Sequence, residues 1–210
     1  MDTIACRRPA KKPDTRRLSA QSGRQFRYEQ QFHFAKLSKL VLVTPLWLSH
    51  KPLRIDSGAP LSAYRNIDPA TFETAWRIAA PESAREALIP TGWFETWLET
   101  TLVSNPETTS DGHFLAPSGP VQDVREHWTA GKPIYDASRI TSPVLIVAAE
   151  WDIDVRIDMA QDLFNKLDNV PYKRFIEIGQ ATHMVLLERH RKQAYDEIIM
   201  FLNETVRSGQ

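Results

Sequence analysis

The sequence predicts an α/β fold: parallel strands with flanking helices and a helical insertion. Apolar runs of strand length occur at Lys39–Thr44 (KLVLVT), Val144–Ala149 (VLIVAA) and Lys173–Ile178 (KRFIEI). Amphipathic helical patterns separate and follow the last two. A long stretch rich in proline and tryptophan parts the first run from the second.

Each element has a local reason. Continuous apolar runs of four to eight residues suit strands buried on both faces, as in a parallel sheet. Pro45 ends the first run, Ser142-Pro143 leads into the second, and Gly179 ends the third. Residues Ile157–Leu167 place Met159, Leu163, Phe164 and Leu167 on one helical face. Residues Arg191–Val206 do the same with Ala194, Tyr195, Ile198, Phe201 and Leu202. Strand alternating with helix argues for α/β units.

Between Pro45 and Pro133 lie ten of the 14 prolines and five of the six tryptophans. Asp68 with Glu73, and Pro81 with Ser83, mark helix starts. Short helices are expected at Thr71–Ala80, Glu82–Leu88 and Trp93–Val103. A plain crossover needs far fewer residues. The expected organisation is therefore a basic tail at 1–31, a core at 32–45 and 134–210, and an insertion at 46–133 over one end of the sheet.

With 210 residues, 42% hydrophobic and 25% charged, the chain has enough apolar content for one buried core. The formal net charge is zero, so no general pull toward nucleic acid or membrane is expected. The charge is uneven: residues 1–31 hold eight Lys or Arg against three acids, +5, leaving −5 for the remainder. That tail is too poor in aliphatic residues to offset its ordering entropy and is expected to be disordered. Its pairs Arg7-Arg8, Lys11-Lys12 and Arg16-Arg17 admit a transit peptide or a nucleic-acid arm, but a solvated tail is the simpler reading. The single cysteine, Cys6, excludes an intramolecular disulfide and points to a reducing compartment, the cytoplasm. In a polar tail it is a poor nucleophile. No apolar run approaches the roughly 18 residues of a membrane span, and no signal peptide is visible.

Two loop residues carry chemistry. Asp152 follows the Val144–Ala149 run, in Glu150-Trp151-Asp152. His183 follows the Lys173–Ile178 run, in Gly179-Gln-Ala-Thr-His183. Both fall just past the carboxyl ends of predicted parallel strands, where open α/β sheets place ligands. A carboxylate there can orient an imidazole and stabilise its protonated form, so that the imidazole serves as general base. Asp154, two residues on, is the rival acid.

The segment Ser142–Leu202 resembles the end of an α/β-hydrolase: a Pro-Val-Leu-Ile-Val strand, a Glu-x-Asp turn, a helix, a strand, a Gly-x-x-x-His loop and a closing helix. The resemblance implies that Asp152 and His183 are the acid and histidine of a catalytic triad, since in that family the acid precedes the histidine. It implies that Lys39–Pro45 is the sixth strand and that the insertion is a cap over the active site. It also implies hydrolysis of an ester, amide or similar bond in a small apolar substrate, without cofactor or metal.

One part of the pattern is missing. The family's nucleophile sits in Gly-x-Ser-x-Gly. The glycines here are at 23, 58, 92, 112, 119, 131, 179 and 209, and no two are four apart. The nearest relative, Thr108-Thr-Ser110-Asp-Gly112, lies inside the insertion and reads as a turn. A glycine-rich oxyanion loop is absent too. The expectation is a chain carrying the sixth to eighth strands and the cap, with the nucleophile half absent, so that alone it would be inactive or act as a binding or assembly module. A sheet beginning at Lys39–Thr44 would also leave an open edge, inviting self-association. The cluster Asp152, Asp154 and Asp158 lacks the glycine of a calcium loop, and the histidines lack metal-ligand spacing. Trp47, Trp76, Trp93, Trp97 and Trp128 are expected mainly in packing, with one or two lining an apolar pocket.

Overall fold

The computed structural model describes residues 2–7, 37–104 and 112–205. Its main sheet has four strands: β1 (Asp2–Arg7), β2 (Leu37–Val43), β5 (Val144–Ala149) and β6 (Lys173–Ile178), in the order β1-β2-β5-β6. β2, β5 and β6 are parallel, in registers Leu40↔Val144 and Ala149↔Ile178. The helix α5 (Ile157–Asn165) connects β5 to β6, and α6 (Arg191–Asn203) closes the chain.

Strict alternation along the central strands builds two cores. Leu40, Leu42, Val144 and Ile146 face one side and pack on Met159, Ala160 and Leu163 of α5, with Trp47, Trp128 and Ile140. Val41, Val43, Leu145 and Val147 face the other and pack on Ala194, Ile198 and Phe201 of α6. A strand covered on both faces has no polar side, so β5 is apolar at every position and buried throughout. β6 differs from the expectation of a strand buried on both faces: it is an edge strand of the sheet, mostly half-buried, which is why it tolerates Lys173, Arg174 and Glu177.

Two lysines in the sheet cap helices. Lys39 of β2 is 7% exposed, and its ammonium donates to the carbonyls of Phe201, Leu202 (3.1 Å) and Glu204 (2.5 Å) at the end of α6. Lys173 of β6 donates to the carbonyls of Phe164 (3.0 Å) and Leu167 (3.3 Å) at the end of α5. Both satisfy carbonyls that a helix terminus leaves open and place positive charge at the negative end of the dipole.

The expectation of disorder over 1–31 is corrected at residues 2–7. β1 runs antiparallel to β2, from Asp2↔Val43 to Arg7↔Leu37 with a register shift near its end. The edge of β2 expected to stand open is therefore paired, because its free backbone N–H and C=O groups find partners in the chain's own β1. The rest of the expected tail, the basic pairs beyond Arg7 among it, and the start of the core at 32 lie outside the described residues.

The insertion between β2 and β5 carries helices where they were expected and a sheet where none was. α1 (Pro69–Arg77) is capped by Asp68, which accepts from Ala70 N (3.2 Å) and Thr71 N (3.1 Å). A 3-10 turn (Glu82–Ala84) runs into α2 (Arg85–Leu88), and α3 spans Trp93–Ser104. β3 (Tyr64–Ile67) and β4 (Phe114–Pro117) pair as a two-stranded antiparallel ribbon. A short α4 (Gly119–Asp123) continues as a π-helical turn (Val124–Trp128) that delivers Trp128 to Trp47, ring centroids 5.8 Å apart. The Thr108–Gly112 stretch falls almost wholly outside the described residues. Among the described residues no helix is long and apolar enough to cross a membrane.

Lys39→Met keeps the packing stem and removes the ammonium, stranding the carbonyls at the end of α6. Chemical denaturation should show a loss of about 1–3 kcal/mol in unfolding free energy.

Candidate active site

β5 and β6 end level, at Ala149↔Ile178, and the loops beyond them are stitched together. Glu150 N donates to Ile178 O (3.1 Å) and Trp151 N to Ala181 O (2.8 Å), while Gln180 N donates to the Glu150 carboxylate (2.7 Å). Gln180 turns the chain with φ of 55°.

This stitching brings Asp152 and His183 together. Asp152 Oδ2 lies 3.0 Å from His183 Nδ1. Asp152 Oδ1 accepts from the backbone N–H groups of Asp154 (2.9 Å) and Val155 (2.7 Å), which fixes the carboxylate plane. The Asp152 side chain is 1% exposed and that of His183 is 30% exposed. An ionised Asp152 places the imidazole proton on Nδ1 and leaves Nε2 as an acceptor. Burial opposes charge on His183, but its hydrogen bond to Asp152 and the negative charges of Asp152 and Asp154 outweigh it and raise its pKa above the usual imidazole value.

The Asp154 carboxylate is engaged elsewhere. It pairs with Arg54 at 3.3 Å, and Arg54 also reaches the carbonyl of Ala75 in α1 (3.5 Å). Burial is the main cause that raises the Asp154 pKa, with Asp152 adding to it and Arg54 and His183 opposing it. Asp158 is turned away into an ion pair with Arg156 (3.1 Å). Among the described residues no group of three His, Cys, Asp or Glu is arranged to hold a metal ion.

Three residues around the pair escaped the sequence reading. Thr44, at the end of β2, has φ of 42° and donates through its hydroxyl to the His183 carbonyl (3.4 Å). A β-branched residue before proline is strained in that region, at about 1–3 kcal/mol. Thr182 is 1% exposed and Glu188 is fully buried, the two hydrogen-bonded to each other. No sequence motif announces a buried glutamate in a run such as Leu187-Glu188-Arg189-His190.

The insertion packs against both loops. Trp76, Leu88, Ile89 and Phe94 form a buried cluster on which Phe72, Trp97, Trp151, Met184 and Leu187 pack. Trp151 precedes Asp152 and Met184 follows His183, so this aromatic cluster adjoins the pair directly. Phe72 and Trp97 stack at 5.0 Å within it. Trp93 instead stands partly exposed beneath the Arg191 guanidinium, 3.6 Å from its ring centroid. A cleft of about 330 Å³ opens between α2 and the loops, lined by Ala84, Leu88, Trp151, Gln180, Arg189 and His190 among others. Asp152 and His183 are not among its lining residues.

No family model matches the chain, and no curated protein sequence does. Solved structures do resemble it. A serine hydrolase from Cycloclasticus zankles superposes with a TM-score of 0.52 at 12% identity, covering 84% of this chain and 59% of its own. An esterase from Exiguobacterium antarcticum gives 0.49 at 13% identity, covering 87% and 63%. An α/β-hydrolase-fold protein from Chitinophaga pinensis gives 0.41 at 15%, covering 86% and 61%. The chain thus spans about three fifths of the length of these structures. At such identity the first likeness speaks to the fold alone, and with the parallel sheet and its flanking helices the fold is an α/β-hydrolase fold, present in part.

Asp152→Asn removes the charge that favours imidazolium, so NMR titration should show the His183 midpoint falling. The linked stability has a defined sign. Because the folded value is raised, the stabilisation from protonated His183 is fully present below 6.5 and is lost as pH rises through the folded midpoint. Asp152→Asn should flatten that part of the stability curve.

Proposed function

We propose that this chain belongs to a hydrolase of the α/β-hydrolase family, with His183 as the general base and acid and Asp152 as the group that orients it. The observation that carries the reading is the 3.0 Å contact between Asp152 Oδ2 and His183 Nδ1, held at the level ends of two neighbouring parallel strands. The acid-before-histidine order supports it. So does the residual accessibility of His183 beside a buried carboxylate.

In this reading a hydroxyl nucleophile attacks an acyl carbon while His183 Nε2 takes its proton. The collapsing intermediate expels the leaving group, which receives that proton from Nε2. Water then repeats the cycle to release the acid, and Asp152 stabilises the imidazolium in each half. The nucleophile comes from outside these 210 residues, because Gly-x-Ser-x-Gly is absent from them. The insertion acts as a cap, and its aromatic cluster beside Trp151 and Met184 favours an apolar acyl or alkyl group. The lone cysteine supports a cytoplasmic setting.

A second reading follows from the same missing motif: a non-catalytic hydrolase-like module for binding or assembly. Ester hydrolysis by the protein captured from its natural source separates the two. Under the hydrolase reading, His183→Ala lowers kcat by roughly 10⁶-fold and Asp152→Asn by about 10⁴-fold. The kcat/KM should rise with pH through the His183 midpoint, since the base must be neutral. Hydrolysis that survives His183→Ala would exclude triad chemistry. Absence of hydrolysis on a panel of short and long acyl esters would favour the module.

A further inference from the structure

Glu188 is fully buried five residues after His183, and the proposed chemistry does not use it. Its Oε2 accepts from Thr182 N at 2.7 Å. Its Oε1 accepts from the Thr182 hydroxyl and, at 2.7 Å, from the indole N–H of Trp76 in α1. Among the described residues no cation pairs with it. A buried carboxylate without a cation is costly, and an amide or apolar side chain of the same size would pack at less expense. A carboxylate offers something those side chains lack: two oxygens that grip both donors of one residue at once. The residue gripped is Thr182, the one immediately before His183. The following backbone is tied to the insertion as well, since Arg189 N donates to the carbonyl of Leu88 (2.9 Å).

We propose that Glu188 is a positioning residue for His183: by clamping Thr182 it sets the backbone from which the imidazole reaches Asp152, and through Trp76 it couples that geometry to the first helix of the insertion. The inference rests on the reading of Asp152 and His183 as a working pair. A second tie lies one residue away in α1, where the Ala75 carbonyl receives Arg54, the partner of Asp154. One helix end is therefore linked to the loop of Asp152 through Arg54 and to the loop of His183 through Glu188. Burial raises the Glu188 pKa and the charge of Asp152 adds to this, while the bonds from Thr182 and Trp76 hold it down.

The test is NMR titration of His183 in full-length chain labelled at histidine, with thermal unfolding measured alongside. Asp152 and Asp154 are the charged side chains that act on His183, with Arg54 paired to Asp154, and all three stay in place in three variants. Thr182→Val keeps shape and removes one donor to Glu188 without deleting any charged side chain, so it probes the clamp rather than the loss of a carboxylate. Glu188→Gln keeps one acceptor oxygen of two. Trp76→Phe leaves both Thr182 bonds intact. The expected result is a downward shift of the His183 midpoint in Thr182→Val, a larger one in Glu188→Gln, and faster exchange of the Nδ1 proton in both. Trp76→Phe should lower the unfolding temperature and broaden the His183 resonances with a smaller shift. If Glu188→Gln fails to fold, Thr182→Val decides. An unmoved midpoint in Thr182→Val, with a normal fall in Asp152→Asn, overturns the positioning role and leaves the pair standing. An unmoved midpoint in Asp152→Asn overturns both readings.

Discussion

The parallel register of β5 and β6 is the constraint on which the site depends. Ala149 and Ile178 are the last partners of that ladder, and Asp152 and His183 follow them by three and five residues. Slipping one strand by one residue would turn its side chains to the opposite face and separate the loops by a further 3.3 Å or so. Burial holds the register. Every residue of β5 is buried, and its two faces are committed to different helices, so no alternative pairing buries as much apolar surface. The backbone bonds between the loops then extend the ladder's order into segments that have no regular structure.

Polar groups inside the fold are used where the backbone needs them. Lys39 and Lys173 supply the last turns of α6 and α5, so each helix is anchored at the strand beside it as well as along its apolar face. Glu188 does for the histidine loop what those lysines do for helix ends, with the sign reversed: its oxygens take up N–H and O–H groups that would otherwise be buried without partners. Such groups are expensive to strand and modest in net gain when paired. Their effect is to exclude other arrangements of the same chain.

Much of this was legible in the sequence, and the omissions have physical causes. β5 and β6 fall at the residues their apolar runs delimit, because strands bounded by proline and glycine announce their own ends. Asp68 was readable as a cap because capping is local. The ribbon of β3 and β4 was not, since it joins residues far apart whose four-residue strands are too short to carry a period of their own. β1 escaped for the same reason: its partner lies beyond residues 8–36, and its neighbours in sequence are basic and polar. The position of Asp152 and His183 at strand ends could be read, and the structure brings the two into contact. The roles of Thr44, Thr182 and Glu188 could not, because a glutamate in sequence is an exposed residue by default and becomes a clamp only through tertiary contacts.

The pairing of β1 gives the sheet a gradient of permanence. β2, β5 and β6 are locked by the two helical layers, whereas β1 is joined to β2 through a connection of 29 residues, 8–36. Opening of the sheet is therefore expected to meet its steepest resistance at β5, the strand buried at every position. The Asp152–His183 pair follows β5 and β6, so β2 stands between β1 and the two loops, and a disturbance of that far edge must cross a buried strand before it reaches them.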